Sequence, residues 1–175
     1  ETAMGDFPVE SVETMARIAR EIERDETHFK PMIDMDMVSV NHEITAQLAR
    51  SAVRASTNLP VKYVVLDTKT GRTGRYLAAF RGRKTVMAVC YQLHAQRILA
   101  LSYGVVPILR NQELRDKYHF LIDALEFLDQ YSKLADDDLL AIVGGSFGPD
   151  GGASYIEFAS VRNIRRRNAE IEAHK

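Results

Sequence analysis

The stretch Val61-Lys62-Tyr63-Val64-Val65-Leu66-Asp67-Thr68-Lys69-Thr70-Gly71-Arg72-Thr73-Gly74 runs from β-branched and aromatic residues, through hydroxyls and cations, into a helix opening. Residues 61–66 have the composition of a strand, 67–73 that of a polar turn, and 74–81 that of a helix. Strand, turn and helix in this order form the repeating unit of a parallel sheet, whose strands need a long crossover between them.

The same alternation continues downstream. Residues 85–90 form a short apolar strand of the buried type, and Cys90 inside it reads as a packed thiol. A helix over 93–103 runs to Gly104, a residue suited to a left-handed cap. Residues 105–109 follow as a strand, and Pro107 argues for an edge position. A helix over 113–134 shows Leu114, Phe120, Leu121, Leu125, Leu128 and Tyr131. Strands over 139–143 and 153–161 are joined by a glycine-rich loop too short for a parallel crossover, so the last strand should run antiparallel. Upstream, Pro8 opens an amphipathic helix to about Asp25, with Val12, Met15, Ile18 and Ile22 on one stripe that needs a cover. Asn41 is the N-cap expected for a helix with Ile44, Leu48, Ala52 and Ala55 on its apolar side, and Asn58-Leu59-Pro60 stops it. The fold class that follows is α/β: a three-layer α/β/α sandwich of about five strands, mostly parallel, with the last antiparallel.

Composition narrows the function classes. Twenty-three basic against twenty-four acidic residues give a net charge of -1, which removes the bulk electrostatic case for nucleic acid. No apolar run approaches the length of a membrane span. A single cysteine and the lack of a basic-then-apolar leader point to a reducing, cytoplasmic setting. Because the chain starts at Glu1 without an initiator methionine, it reads as processed or as part of something longer.

Two loops can hold chemistry. Thr68, Lys69, Thr70, Gly71, Arg72 and Thr73 place hydroxyls, cations and a glycine at a helix N-terminus, a combination suited to a phosphate. It is no Walker A loop, and the other reading is a well-capped turn. Gly144 to Gly152 lacks G-x-G-x-x-G and leads into a strand, so it is no dinucleotide fingerprint; it is either a mobile hairpin or a backbone that wraps a ligand. Both loops follow strand C-termini, the edge where open α/β sheets bind ligands. Other signals are weaker. His42-Glu43 lacks a second histidine, Asp34 and Asp36 lack the rest of a calcium loop, and the basic run at Arg165-Arg166-Arg167 reads as a solvated end. The histidines at 28, 94, 119 and 174 have no assignable partners. Nothing forms a catalytic constellation, so neither catalytic nor metal-ligating residues are assigned.

Glu1-Thr2-Ala3-Met4-Gly5-Asp6-Phe7-Pro8 resembles the pyruvate kinase segment S-G-E-T-A-x-G-x-[YF]-P, which in that family follows the last strand of the catalytic barrel and leads into its last helix. Thr68 to Thr73 is similar to the family's T-x-[ST]-G-R-[ST] effector-phosphate loop. Val86-Met87-Ala88-Val89 and Gly104 to Ile108 resemble the strands that follow, and Gly145 to Gly152 the terminal G-x-x-x-P-x-G loop. The resemblance implies a barrel-derived helix over 1–25 and a C-terminal-type α/β domain over 26–175. It also implies a phosphorylated effector, a sugar phosphate or a nucleotide, held by residues 68–73 together with Ser146, Gly148, Pro149 and Gly151. A homo-oligomer, with no nucleic-acid or membrane partner, is the expected assembly. The parent reaction, phosphoenolpyruvate and ADP to pyruvate and ATP with Mg²⁺ and K⁺, would belong to a barrel outside these residues, so no cofactor is assigned to this chain.

The sequence also departs from the family. Met4 replaces a frequent lysine, no tryptophan is present, and an effector-phosphate arginine falls near Phe120, with Lys117 as a possible substitute. Residues beyond Val161 extend past the usual family end. Two alternatives stay open: a stand-alone domain binding a phosphometabolite, and a purely structural oligomerisation domain.

Overall fold

The computed structural model describes residues 2, 4–24, 44–110, 119–145 and 152–173. Among these, six helices and five strands follow one another as α1 (Pro8–Arg24), α2 (Ile44–Asn58), β1 (Val61–Thr68), α3 (Arg72–Ala79), β2 (Val86–Cys90), α4 (Leu93–Leu99), β3 (Val105–Leu109), α5 (His119–Ser132), β4 (Leu139–Gly145), β5 (Ala153–Ser160) and α6 (Val161–Ala173). The strands form one sheet in the order β3-β2-β1-β4-β5. β1 pairs in parallel with both β2 and β4, and β2 in parallel with β3, while β4 and β5 are antiparallel, as the short connection required. β3, with Pro107, is an edge strand.

Alternation along the strands sorts the core into two layers. Val64, Leu66, Ala88, Cys90, Ala141 and Val143 face one side, where Ala49, Ala52 and Val53 of α2, Leu77 of α3 and Leu99 of α4 cover them. Val65, Met87, Val89, Leu140 and Ile142 face the other, under Phe120, Leu121, Ala124 and Leu128 of α5 and Val161 and Ile164 of α6. Sheets covered on both faces need apolar residues at every position, and β2 is buried at all five. Cys90 lies in this layer. Its thiol donates to the Ala88 carbonyl at 3.6 Å, and burial pushes its pKa up to about 11, as fits a packing residue.

Several boundaries differ from the sequence reading. β1 continues to Thr68, because Asp67 and Thr68 stay in register with Val89 and Cys90 despite their polarity. α3 begins at Arg72, two residues early, and α4 stops at Leu99; Gly104 has the expected positive φ of 66° but sits in the turn before β3. Of the expected apolar side of α2, Ala52 is buried and Leu48 packs on the core, but the buried face is turned away from Ile44. Thr45, Ala46, Ala49, Ala52, Val53 and Ser56 are buried, whereas Ile44 is 68% exposed. Small residues let this helix lie close to the sheet, and closeness outweighs the bulk of the first residue. The expected N-cap at Asn41, the start of the 113–134 helix and the aspartates at 34 and 36 lie outside the described residues, as do the histidines at 28, 42 and 174.

The basic C-terminal run forms α6. The Ser160 hydroxyl accepts from the Asn163 N–H at 3.3 Å as an N-cap, and the Asp138 and Asp136 carbonyls accept from the N–H groups of Val161 and Arg162. Arg165 bridges Asp136 and Asp129 at 2.6 and 2.7 Å, and Arg167 pairs with Glu157. Exposed pairs of this kind add at most about 1 kcal/mol each. Val161 and Ile164, both nearly fully buried, hold the helix more firmly, at about 1.5–3 kcal/mol per side chain.

α1 is the opposite case. Val12, Met15, Ile18 and Ile22 lie on one stripe as expected, yet each is more than half exposed and no residue of the helix is buried. An amphipathic helix without a packed face is marginal in water. In the 175-residue chain, backbone amides of α1 should therefore exchange at least about a hundredfold faster than those of Val64 to Leu66. Equal protection, measured by hydrogen exchange on a monomer, would contradict this account.

Candidate functional site

A sheet whose order reverses about one strand leaves a crevice there. From β1 the chain moves outward to β2 and β3, then crosses under α5 to β4 on the other side of β1. The switch point lies between β1 and β4, and ligands of open α/β sheets bind outside the carboxyl ends of the strands at such a point. The loops that leave β1 and β4 at this end are the two that the sequence singled out.

The β1 loop is shaped by one short hydrogen bond. Thr68 is buried, and its Oγ1 accepts from the Gly71 N–H at 2.9 Å, folding the chain back at the strand end. Gly71 then takes φ 79°, a left-handed conformation that favours glycine, and caps α3. A side chain here would also press on Leu99 of α4, as it would at Gly74, where an added Cβ would lie 2.8 Å from a Leu99 methyl. Arg75 makes the first helical bond, to the Gly71 carbonyl, so the N–H groups of Thr73 and Gly74 precede the helical ladder. The Arg72 N–H sits 3.4 Å from the Thr70 hydroxyl. Lys69 and Thr70 are exposed, Arg72 is half-buried, and Thr73 is 5% exposed. Of the six expected contacts in this loop, Lys69 and Thr70 thus present side chains at the surface and Arg72 is partly covered, while Thr68 and Thr73 are built into the turn.

Of the second loop, Ser146, Gly148, Pro149 and Gly151 lie outside the described residues, as does Lys117. Its two ends are described, and they bring the loops together. A Cβ on Gly152 would collide with the Thr45 hydroxyl and come within 3.0 Å of the Arg72 guanidinium. A Cβ on Gly145 would collide with the Gly152 carbonyl, and one on Gly144 with the Tyr155 hydroxyl. Backbone therefore lies flush against Arg72 and against the first turn of α2. Thr45, 3% exposed, is a residue of this crevice that the sequence reading missed. Its one local signal is a hydroxyl in the first turn of a helix. Phe120, where the family pattern puts an arginine, is buried on the core side of α5 and offers no charge.

The other face of β1 carries the strongest electrostatic signal. Asp67 points away from Thr68, and burial raises its pKa from the ordinary 3.8 to about 6, partly offset by a backbone hydrogen bond. Burial and the nearby carboxylates of Asp67 and Asp123 push Tyr91 above the usual phenol range. Asp123 is paired with Arg110, Oδ1 to Nε at 3.0 Å. The folded chain thus binds a proton at Asp67 more tightly than the unfolded chain does. This group opposes folding above pH 6, and the penalty disappears as pH falls through 3.8. Asp67→Asn should stabilise the protein by up to about 3 kcal/mol at pH 7.5, with the gain vanishing near pH 4. Urea unfolding at several pH values checks this; a gain independent of pH would refute the burial account.

The family model for the pyruvate kinase alpha/beta domain matches residues 46–157, which covers β1 to β4, both loops and the first five residues of β5. Similar proteins include the pyruvate kinase of Borreliella burgdorferi, 27% identical over 172 residues (96% of this chain, 35% of the relative). That of Thermococcus litoralis is 28% identical over 148 residues, 83% of this chain and 30% of the relative. Rat pyruvate kinase PKLR is 36% identical over 110 residues, 62% of this chain and 19% of the relative. The chain spans about a third or less of the length of these relatives. With the doubly wound sheet and the collinear match, it belongs to the pyruvate kinase family, as its C-terminal alpha/beta domain.

Proposed function

We propose that this chain is the regulatory and subunit-contact region of a pyruvate kinase, and that the β1/β4 crevice takes the phosphate of a small metabolite, a sugar phosphate or a nucleotide. The observation that supports this most is the packing of the Gly152 backbone against Arg72 and Thr45 at the start of α3 and α2. A cation, exposed hydroxyl and lysine side chains, and helix-start N–H groups then share one crevice, with a glycine-rich loop leading out of it. Charge-assisted bonds to a phosphate are worth about 1.5–3 kcal/mol each, so two or three would give useful affinity. Binding there shifts the parent enzyme's conformational balance only if its two states differ in affinity for the ligand.

On this reading the parent enzyme transfers phosphate from phosphoenolpyruvate to ADP in the cytoplasm, as a homo-oligomer. Residues 1–25 pack on its barrel, and 26–175 form the effector domain. The Val12–Ile22 stripe is the face that the barrel covers. The Mg²⁺ and K⁺ of the parent reaction are assigned to the barrel on this reading. No described helix is long and apolar enough to cross a membrane.

Burial of Thr68 and Thr73 favours the rival reading, a capped turn in a domain that serves assembly alone or stands free of a barrel. Calorimetry decides between them. Thr70→Val combined with Arg72→Ala should weaken binding of sugar phosphates or nucleotides at least about tenfold, while circular dichroism and melting temperature confirm the fold. Unchanged affinity for every ligand tested leaves only the capped turn. The purified chain should form no pyruvate above a protein-free blank, because positioned metal and cations stabilise charge in phosphoryl transfer. Measurable turnover by the purified chain would overturn the assignment of chemistry to the barrel.

A further inference from the structure

The net charge of -1, which argues against nucleic acid for the chain as a whole, is the sum of two unequal parts. From Ile44 to Arg110 the sequence has eleven Lys and Arg against a single acidic residue, Asp67; the remainder has twelve against twenty-three. Folding turns this segregation along the chain into segregation in space. α2, α3 and α4 cover one side of the sheet, where Ala52, Leu77 and Leu99 enter the same layer, and Gly74 of α3 lies against Leu99 of α4. None of these helices contains a carboxylate, and neither do residues 80–85 or 100–104. Arg54, Arg75 and Arg97 are exposed on the three helices in turn, with Arg83 and Lys84 in the α3–β2 connection. Carboxylates lie across the sheet instead, with Asp123 and Asp129 on α5 and Glu157 opposite Ile142 on β5.

Such a face selects its partner by charge. Packed helices lie about 8–10 Å apart, so cations on three of them spread over roughly 20 Å, more than one small anion spans. A second copy brought to the same face by a two-fold axis would set arginine against arginine. An acidic protein needs apolar anchors at the centre of the contact. The large apolar side chains exposed here, Ile44, Leu93 and Leu101, stand at or just beyond helix ends, and α3 exposes none. Arginine is the commoner cation of the face, and its planar fork matches phosphate oxygens. Tyrosines offer no platform for stacked bases, since Tyr76 and Tyr103 are half-buried and the Arg81 guanidinium lies 4.8 Å over the Tyr103 ring. Phosphate, and not base, is then the group that the face recognises.

We infer that the outer face of α2, α3 and α4 binds the phosphate backbone of duplex nucleic acid without regard to sequence. The test is fluorescence anisotropy of the 175-residue protein with two labelled duplexes of unrelated sequence, in a series of KCl concentrations. Both duplexes should bind alike, with a Kd of about 10 µM or tighter at about 50 mM KCl, and affinity should fall with salt at a log–log slope of about -3. Arg54→Glu with Arg75→Glu should weaken binding at least about tenfold and flatten the slope, the loss of two phosphate contacts. Arg162→Glu with Arg166→Glu changes the total charge equally, but on α6 across the sheet, and should leave the affinity within about twofold. Circular dichroism checks that both variants fold. Equal weakening by the two pairs of substitutions would reduce the effect to net charge and overturn the assignment. So would the absence of binding at about 50 mM KCl. Polyglutamate competing as well as unlabelled duplex would point to an acidic protein, and tighter binding to phosphatidylserine vesicles to a membrane; either result refutes the proposal.

Discussion

The structure depends on the pairing of β1 with two parallel neighbours at once. Val64, Val65 and Leu66 are shut off from water on both faces, and their backbone is bonded to β2 on one side and β4 on the other. Parallel partners on both sides require crossovers that leave in opposite senses, so the chain must reverse about β1. That reversal opens a crevice beside the end of the strand. The candidate site therefore follows from sheet topology before any side chain is considered, and the loop residues decide only what the crevice holds.

Glycine then determines how near the loops can come. The mouth of β4 and β5 closes only because Gly144, Gly145 and Gly152 leave room for the Tyr155 hydroxyl, for backbone and for Thr45. With a Cβ at position 152 the backbone there would be held off Thr45 and the Arg72 guanidinium. The glycines read in the sequence as either mobility or a wrap. In the described residues their function is close packing, which is a geometric demand and not a licence for motion.

Most of the fold was legible because buried parallel strands are written as continuous apolar runs, and residues 86–90, 105–109 and 139–143 are such runs. The antiparallel β5 followed from loop length alone. What was not legible depends on partners distant in sequence. Asp67 and Thr68 stay in the ladder because Val89 and Cys90 lie opposite, which their own polarity argues against. Ile44 looked like a core residue and is exposed, since the sheet selects the alanine face of α2. Ser160 three residues before Asn163 was a readable cap, but the arginines that follow pointed to a solvated tail. In the candidate crevice, the position of residues 68–73 at the end of β1 was legible from local pattern. The burial of Thr73 and the arrival of Thr45 were not, because both are set by how α2 packs on α3.

The two ends of the chain show how area, more than charge, decides whether a helix is held. α6 carries several ion pairs, but its attachment rests on Val161 and Ile164 entering the layer under α5. α1 carries an apolar stripe of Val12, Met15, Ile18 and Ile22 and leaves more than half of each side chain in water. Exposed stripes of this size on a folded domain mark contact surfaces. If a barrel covers α1, as proposed, the helix links two units: its apolar face binds one, and the chain after residue 24 leads to the other. Any shift of the domain about the crevice would then act on the barrel through α1, whose position is set by contacts outside the domain.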